Sequence, residues 1–263
     1  MQISLDTSKW YDRIWAAFIF FTRLPLWRLH QPAKEAYKTV VEHWPLVGWL
    51  TGTTMAAVLY FGSMLFSYEI AILLAIITRL LVTGALHEDG LADFIDGFGG
   101  GGTDRQRILD IMKDSHIGTY GVISLILYFL LLFFSLHAMT PIDAAMTIAA
   151  VDPFAKMLSA QLIQMMPYAR TEETAKNHTV YRRFDIKAGI SLAIQGLLPI
   201  SLYIYYMYAR VDWQLLIFIP AIVMYFLYML IWRRLHGYTG DCCGALFLLT
   251  ELATLLVAGY YLQ

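Results

Sequence analysis

Charge is scarce in this chain. Lys, Arg, Asp and Glu together make up only 15% of its 263 residues, against roughly 25% in a typical soluble domain. The formal net charge is −1, so there is no positive field to hold a polyanion, and no nucleic-acid partner is expected. Cysteine is nearly missing: there are two, Cys242 and Cys243, side by side. A vicinal pair rarely forms a structural disulfide and two thiols do not make a zinc site, so they read as small residues in a tight turn. His30, His43, His137 and His236 fall in no metal-binding motif. A Gly-x-Ser-x-Gly elbow and a P-loop are both absent, so serine-hydrolase and P-loop NTPase chemistry lack their signatures. The N-terminal stretch is polar and amphipathic without a short apolar core, so no cleavable signal peptide is expected. No internal repeat or low-complexity linker stands out.

What fills the sequence is apolar. Hydrophobic residues reach 59%, mean hydropathy is +0.57, and soluble domains run at roughly 45–50%. The expected fold is all-α: one membrane-embedded domain over residues 1–263, built as a polytopic helix bundle. Seven spans of membrane length run over 45–66, 70–86, 117–137, 144–166, 188–208, 214–232 and 244–262. The stretch 10–27 is apolar but interrupted by Arg13 and Arg23, and Pro25 ends its helix. It reads as an interfacial or re-entrant helix packed on the bundle.

Basic residues set the orientation. Lys9, Arg13, Arg23, Arg28, Lys34 and Lys38 precede the first span; Arg105, Arg107 and Lys113 follow the second. Arg170, Lys176, Arg182, Arg183 and Lys187 follow the fourth, and Arg233 and Arg234 the sixth. The opposite side holds Arg210. The positive-inside rule makes the rich side cytoplasmic, with the N-terminus inside and the C-terminus outside. Arg79 and Lys156 fall inside spans, where a charge costs several kcal/mol. They are expected to face the bundle interior and meet a carboxylate or a phosphate.

The chemistry concentrates in residues 87–121. Asp89, Asp93 and Asp96 are spaced i, i+4, i+7, with Glu88 beside them. On a continuing helix the three share one face, although like charges at i, i+4 weaken a helix by a few tenths of a kcal/mol. Such a stripe makes sense around a divalent cation, and oxygen-only ligands indicate Mg²⁺ or Mn²⁺. Gly99 to Gly102 form a four-glycine tract that lets backbone approach a ligand closely, or simply connects elements. Next comes Lys113-Asp114-Ser115-His116-Ile117-Gly118-Thr119, where a span begins. Backbone N–H groups at a helix start favour anions, while Ser115 and Thr119 are also plausible caps. Further on, Asp241 precedes the last span and either completes the metal shell or caps the helix; Glu251 lies about two turns deep. His87 and His116 are acid–base candidates.

Six segments give the chain a family resemblance: FFTRLP at 20–25, WPLVG at 44–48, HEDGLADFIDG at 87–97, IMKDSHIGTYG at 111–121, PYAR at 167–170 and TGDCCGA at 239–245. In order and spacing they resemble the cobalamin synthase family, the adenosylcobinamide-GDP ribazoletransferases. Asp152-Pro153 stands where many members carry Ser-Arg, which removes a family arginine contact and leaves Lys156 as its substitute. Glu88 stands where members often have Leu, so it is not an obligatory ligand.

The resemblance implies an Mg²⁺-dependent transferase in the cytoplasmic (inner) membrane. It would condense adenosylcobinamide-GDP with α-ribazole, or its 5′-phosphate, and release GMP. Asp89, Asp93 and Asp96 would hold one or two Mg²⁺ ions, assisted by Asp114 or Asp241. Arg23, Lys113 and Arg79 would offset phosphate charge. Asp96 would take the hydroxyl proton, with Asp93 or His116 as alternatives. Partners would be the corrinoid and nucleoside substrates and the bilayer, with a homo-oligomer or other corrinoid enzymes left open. Trp15, Trp27, Trp44 and Tyr120 either line a broad groove or form an interfacial belt. Two other readings compete: a CDP-alcohol phosphotransferase, whose Asp-Gly-x-x-Ala-Arg step is missing, and an ion transporter, which the clustering of acids at one edge disfavours.

Overall fold

A computed structural model describes residues 9–114, 116–170 and 180–263. Ser115 and Lys176 lie outside the described residues. Helix α1 spans Trp10–Phe21 and is followed by 3-10 segments at Leu26–Arg28 and Lys34–His43. Then come α2 (Trp44–Gly62), α3 (Tyr68–Thr83), α4 (Leu86–Gly100), α5 (Arg105–Lys113), α6 (Thr119–His137) and α7 (Pro141–Ala160). The chain closes with the single turn α8 (Leu162–Met165), α9 (Ile186–Met207), α10 (Trp213–Leu235) and α11 (Gly240–Leu262). The described residues contain no strand, only an isolated bridge between Tyr168 and Tyr238. This is the expected all-α membrane bundle.

Each of the seven apolar spans lies in a helix, but the helices are not alike. α6, α9, α10 and α11 are each long and apolar enough to cross a bilayer. α2 is diluted by Gly, Thr and Trp, and α7 carries Asp143, Asp152 and Lys156. Both can afford this because α7 is enclosed by α2, α9 and α11. α3 has 16 residues, about 24 Å at about 1.5 Å per residue, short of the ~30 Å hydrocarbon core. α1 has 12 residues, far too short to span. It ends at Phe21, four residues before Pro25, and packs on the second 3-10 segment and α2.

The acidic helix does not continue α3. The two axes meet at 88° across Gly84 and Ala85. Both residues are left-handed, with φ of 66° and 55°. Gly84 needs its missing side chain twice, for that φ and because the Arg23 side chain lies against it. The Arg23 backbone N–H also donates to Val82 O at 2.7 Å. α4 therefore leaves α3 sharply and lies against α11, α6 and α5.

One arginine ties these helices together. Arg79 of α3 donates from Nη1 to both Glu251 oxygens on α11, at 2.8 and 2.7 Å. Its Nη2 donates to the Tyr128 hydroxyl of α6 at 2.7 Å and lies 3.7 Å from Glu88 of α4. A second knot joins Lys156 and Asp152 of α7 with Thr51 of α2, where Thr51 donates to Asp152 at 2.8 Å and Lys156 donates to Thr51 at 3.1 Å. Lys156 Nζ also sits 4.0 Å over the Phe247 ring. Both intramembrane cations thus face the interior and meet carboxylates, as expected.

The two ends of the bundle differ. At one end Arg105 reaches Leu235 O (2.8 Å) and Ala169 O (2.6 Å). There too Arg170 reaches Leu109 O (2.6 Å), and Arg234 reaches Phe98 O (3.3 Å). Leu235 and Phe98 lie in the last turns of α10 and α4, where these arginines satisfy C-terminal carbonyls. At the other end lie the Arg210–Asp143 pair (2.6 Å) and the His137–Glu69 pair (3.2 Å).

Removing the Arg79 guanidinium leaves Glu251 and Glu88 buried without it. Arg79→Met should destabilise the protein by about 3–5 kcal/mol. Adding Glu251→Gln should recover part of that loss, as read by thermal unfolding in detergent.

Candidate active site

The acids of α4 share one helix but not one job. Asp89 is exposed, Asp93 and Asp96 are buried, and Glu88 is turned into the core beside Arg79. Asp96 accepts from Gly118 N at 2.7 Å and Gly121 N at 2.9 Å. Those N–H groups open α6, so the anion held at this helix start is the protein's own carboxylate. A Cβ at Gly121 would collide with it. Asp96 therefore welds α4 to α6.

The other expected site residues are placed as follows. Gly118 and Thr119 open a helix at whose start Asp96 already takes the Gly118 and Gly121 N–H groups. Gly99 packs against the Tyr120 ring and Gly100 against Ile111. Lys113 ends α5 and is exposed. Asp114 and His116 form an exposed pair at 2.7 Å, with 89% of the His116 side chain accessible. The Asp114 carboxylate raises the His116 pKa, so this pair is charged below that raised value and lost as pH climbs through it. Arg79 and Lys156 are neutralised inside the bundle, because a buried cation must take the nearest carboxylate. Cys242 and Cys243 are free, buried thiols in the first turn of α11 rather than in a tight turn.

The cavity that gathers functional groups is elsewhere on α4. It measures about 160 Å³ and is lined by Leu86, His87 and Asp89 from the start of α4 and by Gly240, Asp241, Cys243 and Gly244 from the start of α11. Phe20 and Phe21 of α1, Val41, Trp44 of α2, Thr239, Arg170, Tyr168 and Tyr181 complete its wall. The two helix starts meet because they cross on glycines. A Cβ on Gly90 would stand 3.2 Å from Asp241 Cα, and one on Gly244 would stand 3.2 Å from His87 O. Thr239 caps α11 by accepting from Cys242 N at 3.3 Å, and its hydroxyl donates to Asp241 at 3.3 Å. Burial pushes the Tyr168 phenol up to about 12, with the Asp241 carboxylate adding to the shift, and burial raises Tyr181 as well. Both phenols are neutral donors at physiological pH.

Among the described residues no three His, Cys, Asp or Glu side chains converge as a ready-made metal cage. Mg²⁺ does not require one, since it usually takes one or two carboxylates, water and substrate phosphates. Exposed Asp89, with Asp93 one turn along and Asp241 on the same cavity, suits that mode in donor chemistry.

Comparison with known proteins gives this arrangement a context. The sequence model of the cobalamin-5-phosphate synthase family matches residues 13–259. The chain belongs to that family. A protein of Leptospira interrogans named adenosylcobinamide-GDP ribazoletransferase is 31% identical over 246 residues, covering 92% of each chain. One of the same name from Vibrio cholerae is 34% identical over 253 residues, covering 94% of this chain and 93% of its own. A third, from Shewanella frigidimarina, is 30% identical over 95% of both. No solved structure matches.

Within this family chain, sequence reasoning missed Arg170, Tyr168 and Tyr181 as cavity residues, although PYAR was visible as a motif. Of the two acid–base histidines, His87 lines the cavity, whereas His116, the one expected as an alternative base, does not. Trp44 lines the cavity as one of the groove candidates. Arg23 sits over the Gly84 elbow instead of on the cavity wall.

The division of labour on α4 is testable. Asp96→Asn replaces a charged acceptor by an amide facing an N–H, and should lower stability by about 1–3 kcal/mol. Asp89→Asn, on an exposed side chain, should shift thermal unfolding by less than about 0.5 kcal/mol.

Proposed function

We propose that this protein joins adenosylcobinamide-GDP to α-ribazole, or to its 5′-phosphate, and releases GMP. Family membership and the names of its relatives support the reaction. The observation that carries it to a site is the cavity where two helix starts, two carboxylates and Arg170 meet six aromatic side chains.

The reaction displaces a nucleoside monophosphate from a diphosphate, so the site must bind an anion and take up a proton. The starts of α4 and α11 both point partial positive charge toward the cavity, and Arg170 adds a full charge. Asp89, with Asp93 behind it, would hold Mg²⁺, which supplies charge neutralisation for the phosphates when bound. Asp241, set by the Thr239 hydroxyl, takes the proton from a ribose hydroxyl that is free in both the nucleoside and its 5′-phosphate, as that oxygen attacks the phosphorus on the corrinoid side. GMP leaves in line. Buried Phe21 and Trp44, with half-buried Leu86, exclude water, which would otherwise hydrolyse the diphosphate.

The membrane setting is part of the proposal. The end that carries Arg105, Arg170 and Arg234 faces the cytoplasm, following the positive-inside rule, and opens the cavity to nucleotides. The membrane is then the cytoplasmic one, with the C-terminus outside.

The test is GMP release by the lipid-reconstituted protein given adenosylcobinamide-GDP and α-ribazole, with Mg²⁺ or with EDTA. One GMP per corrinoid product, abolished by EDTA, is expected. Asp241→Asn should lower kcat by about 10²–10⁴, and Asp89→Asn should in addition raise the Mg²⁺ concentration needed. Full activity in EDTA would remove the metal from the account.

A further inference from the structure

The cavity wall is more aromatic than phosphate chemistry requires. Phe21 and Trp44 stack at 5.0 Å with planes 9° apart. His87 joins the same stack, 5.7 Å from Trp44 and 6.2 Å from Phe21, tilted by 20° and 14°. Three rings from three separate helices therefore present nearly parallel planes. Upright rings border them: Tyr181 stands edge-on to Phe20 at 6.0 Å, and Tyr168 edge-on to Tyr238 at 5.2 Å.

Two polar atoms in this stack lack partners. Trp44 Nε1 and His87 Nε2 make no hydrogen bond, although Trp44 is 2% and His87 3% exposed. A buried indole N–H normally finds an acceptor, and an unmet buried donor is expensive. A flat, mostly apolar ring system carrying an acceptor nitrogen would fill the space and satisfy the donor.

Both substrates of the proposed reaction carry a heteroaromatic base, and the two differ in polarity. Guanine bears donors and acceptors along two edges and needs several polar partners. A benzimidazole nucleoside has one unsubstituted ring nitrogen, an acceptor, and an otherwise apolar outline. The Phe20, Phe21, Val41, Trp44 and Leu86 wall offers apolar surface and one indole N–H. That matches the second.

We infer that the Phe21–Trp44–His87 stack, with Phe20, Tyr168 and Tyr181 beside it, seats the benzimidazole base of the acceptor nucleoside, whose ring nitrogen accepts from the Trp44 indole. The inference rests on the ribazole-transfer reading above. Seated there, the base directs its ribose toward Asp241 and Asp89, which line the same cavity. The corrinoid donor then approaches from outside with its diphosphate, so the small substrate binds within the protein and the large one closes over it.

The test uses the full chain in lipid. Equilibrium binding of α-ribazole is measured calorimetrically without donor, beside the KM for each substrate. Trp44→Phe keeps the stack and removes the donor. It should weaken α-ribazole binding and raise its KM by roughly five- to tenfold, with the KM for adenosylcobinamide-GDP unchanged. Phe20→Leu, which leaves the stack intact, should act in the same direction and serves if Trp44→Phe fails to fold. A rise confined to the KM for adenosylcobinamide-GDP would place guanine in the cavity and overturn the inference. Unchanged α-ribazole affinity in both variants would overturn it while leaving the transfer reaction standing. A wild-type protein that neither binds nor turns over α-ribazole would overturn both readings.

Discussion

A single buried guanidinium holds the site's scaffold in register. Arg79 contacts Glu251 on α11, Tyr128 on α6 and Glu88 on α4 from its own place on α3. Placing this cation in a bilayer-spanning bundle is unfavourable in itself, and its four-helix contact set is what makes it tolerable. The consequence is geometric. α3 ends in an 88° turn, and Arg79 grips the helix beyond that turn as well as the two helices on which it rests. The elbow needs a glycine at Gly84 and a left-handed alanine at Ala85, a local strain that the surrounding contacts hold in place.

From that elbow the rest follows by packing. α4 lies across α11 where Gly90 and Gly244 let the backbones close, and this brings Asp89 and Asp241 to one cavity from residues far apart in sequence. The far end of α4 is pinned by Asp96 on the start of α6 and by Arg234 on Phe98 O and Gly102 O. An acidic stripe is thus divided: Glu88 turns inward, Asp96 fastens a helix, and Asp89 faces the cavity. The aromatic side of the cavity comes from α1, α2 and α4 together, so its shape also depends on how the N-terminal helix seats against the bundle.

The bundle and its central motif were legible in the sequence because both rest on local periodicity. Apolar runs marked the helices of the bundle, of which four, or five if the bent α3–α4 pair is one span, are long and apolar enough to cross a membrane rather than the seven expected, and the i, i+4, i+7 acids marked one helix. Arg79 and Lys156 announced themselves as interior charges because the bilayer leaves a charge little choice. What stayed hidden depends on distant partners. Asp96 reads like its neighbours until Gly118 and Gly121 arrive, more than twenty residues on. His116 and His87 look alike in a string; one lands on an exposed turn and the other in a ring stack. Arg170, Tyr168 and Tyr181 flank the undescribed stretch 171–179, and no periodicity marks them. The elbow was missed because Thr83-Gly84-Ala85 carries one glycine and no proline, a weak signal inside an apolar run.

Which α4 acid faces the chemistry decides where a metal would bind. The most direct measurement is an anomalous-scattering map of crystals grown with Mn²⁺ and adenosylcobinamide-GDP in place of Mg²⁺ and acceptor. A peak at the Asp89 carboxylate, on the cavity shared with Asp241, is the predicted result. A peak at Asp96 or Asp114, with none at Asp89, would contradict the account and return the metal to the far end of the stripe.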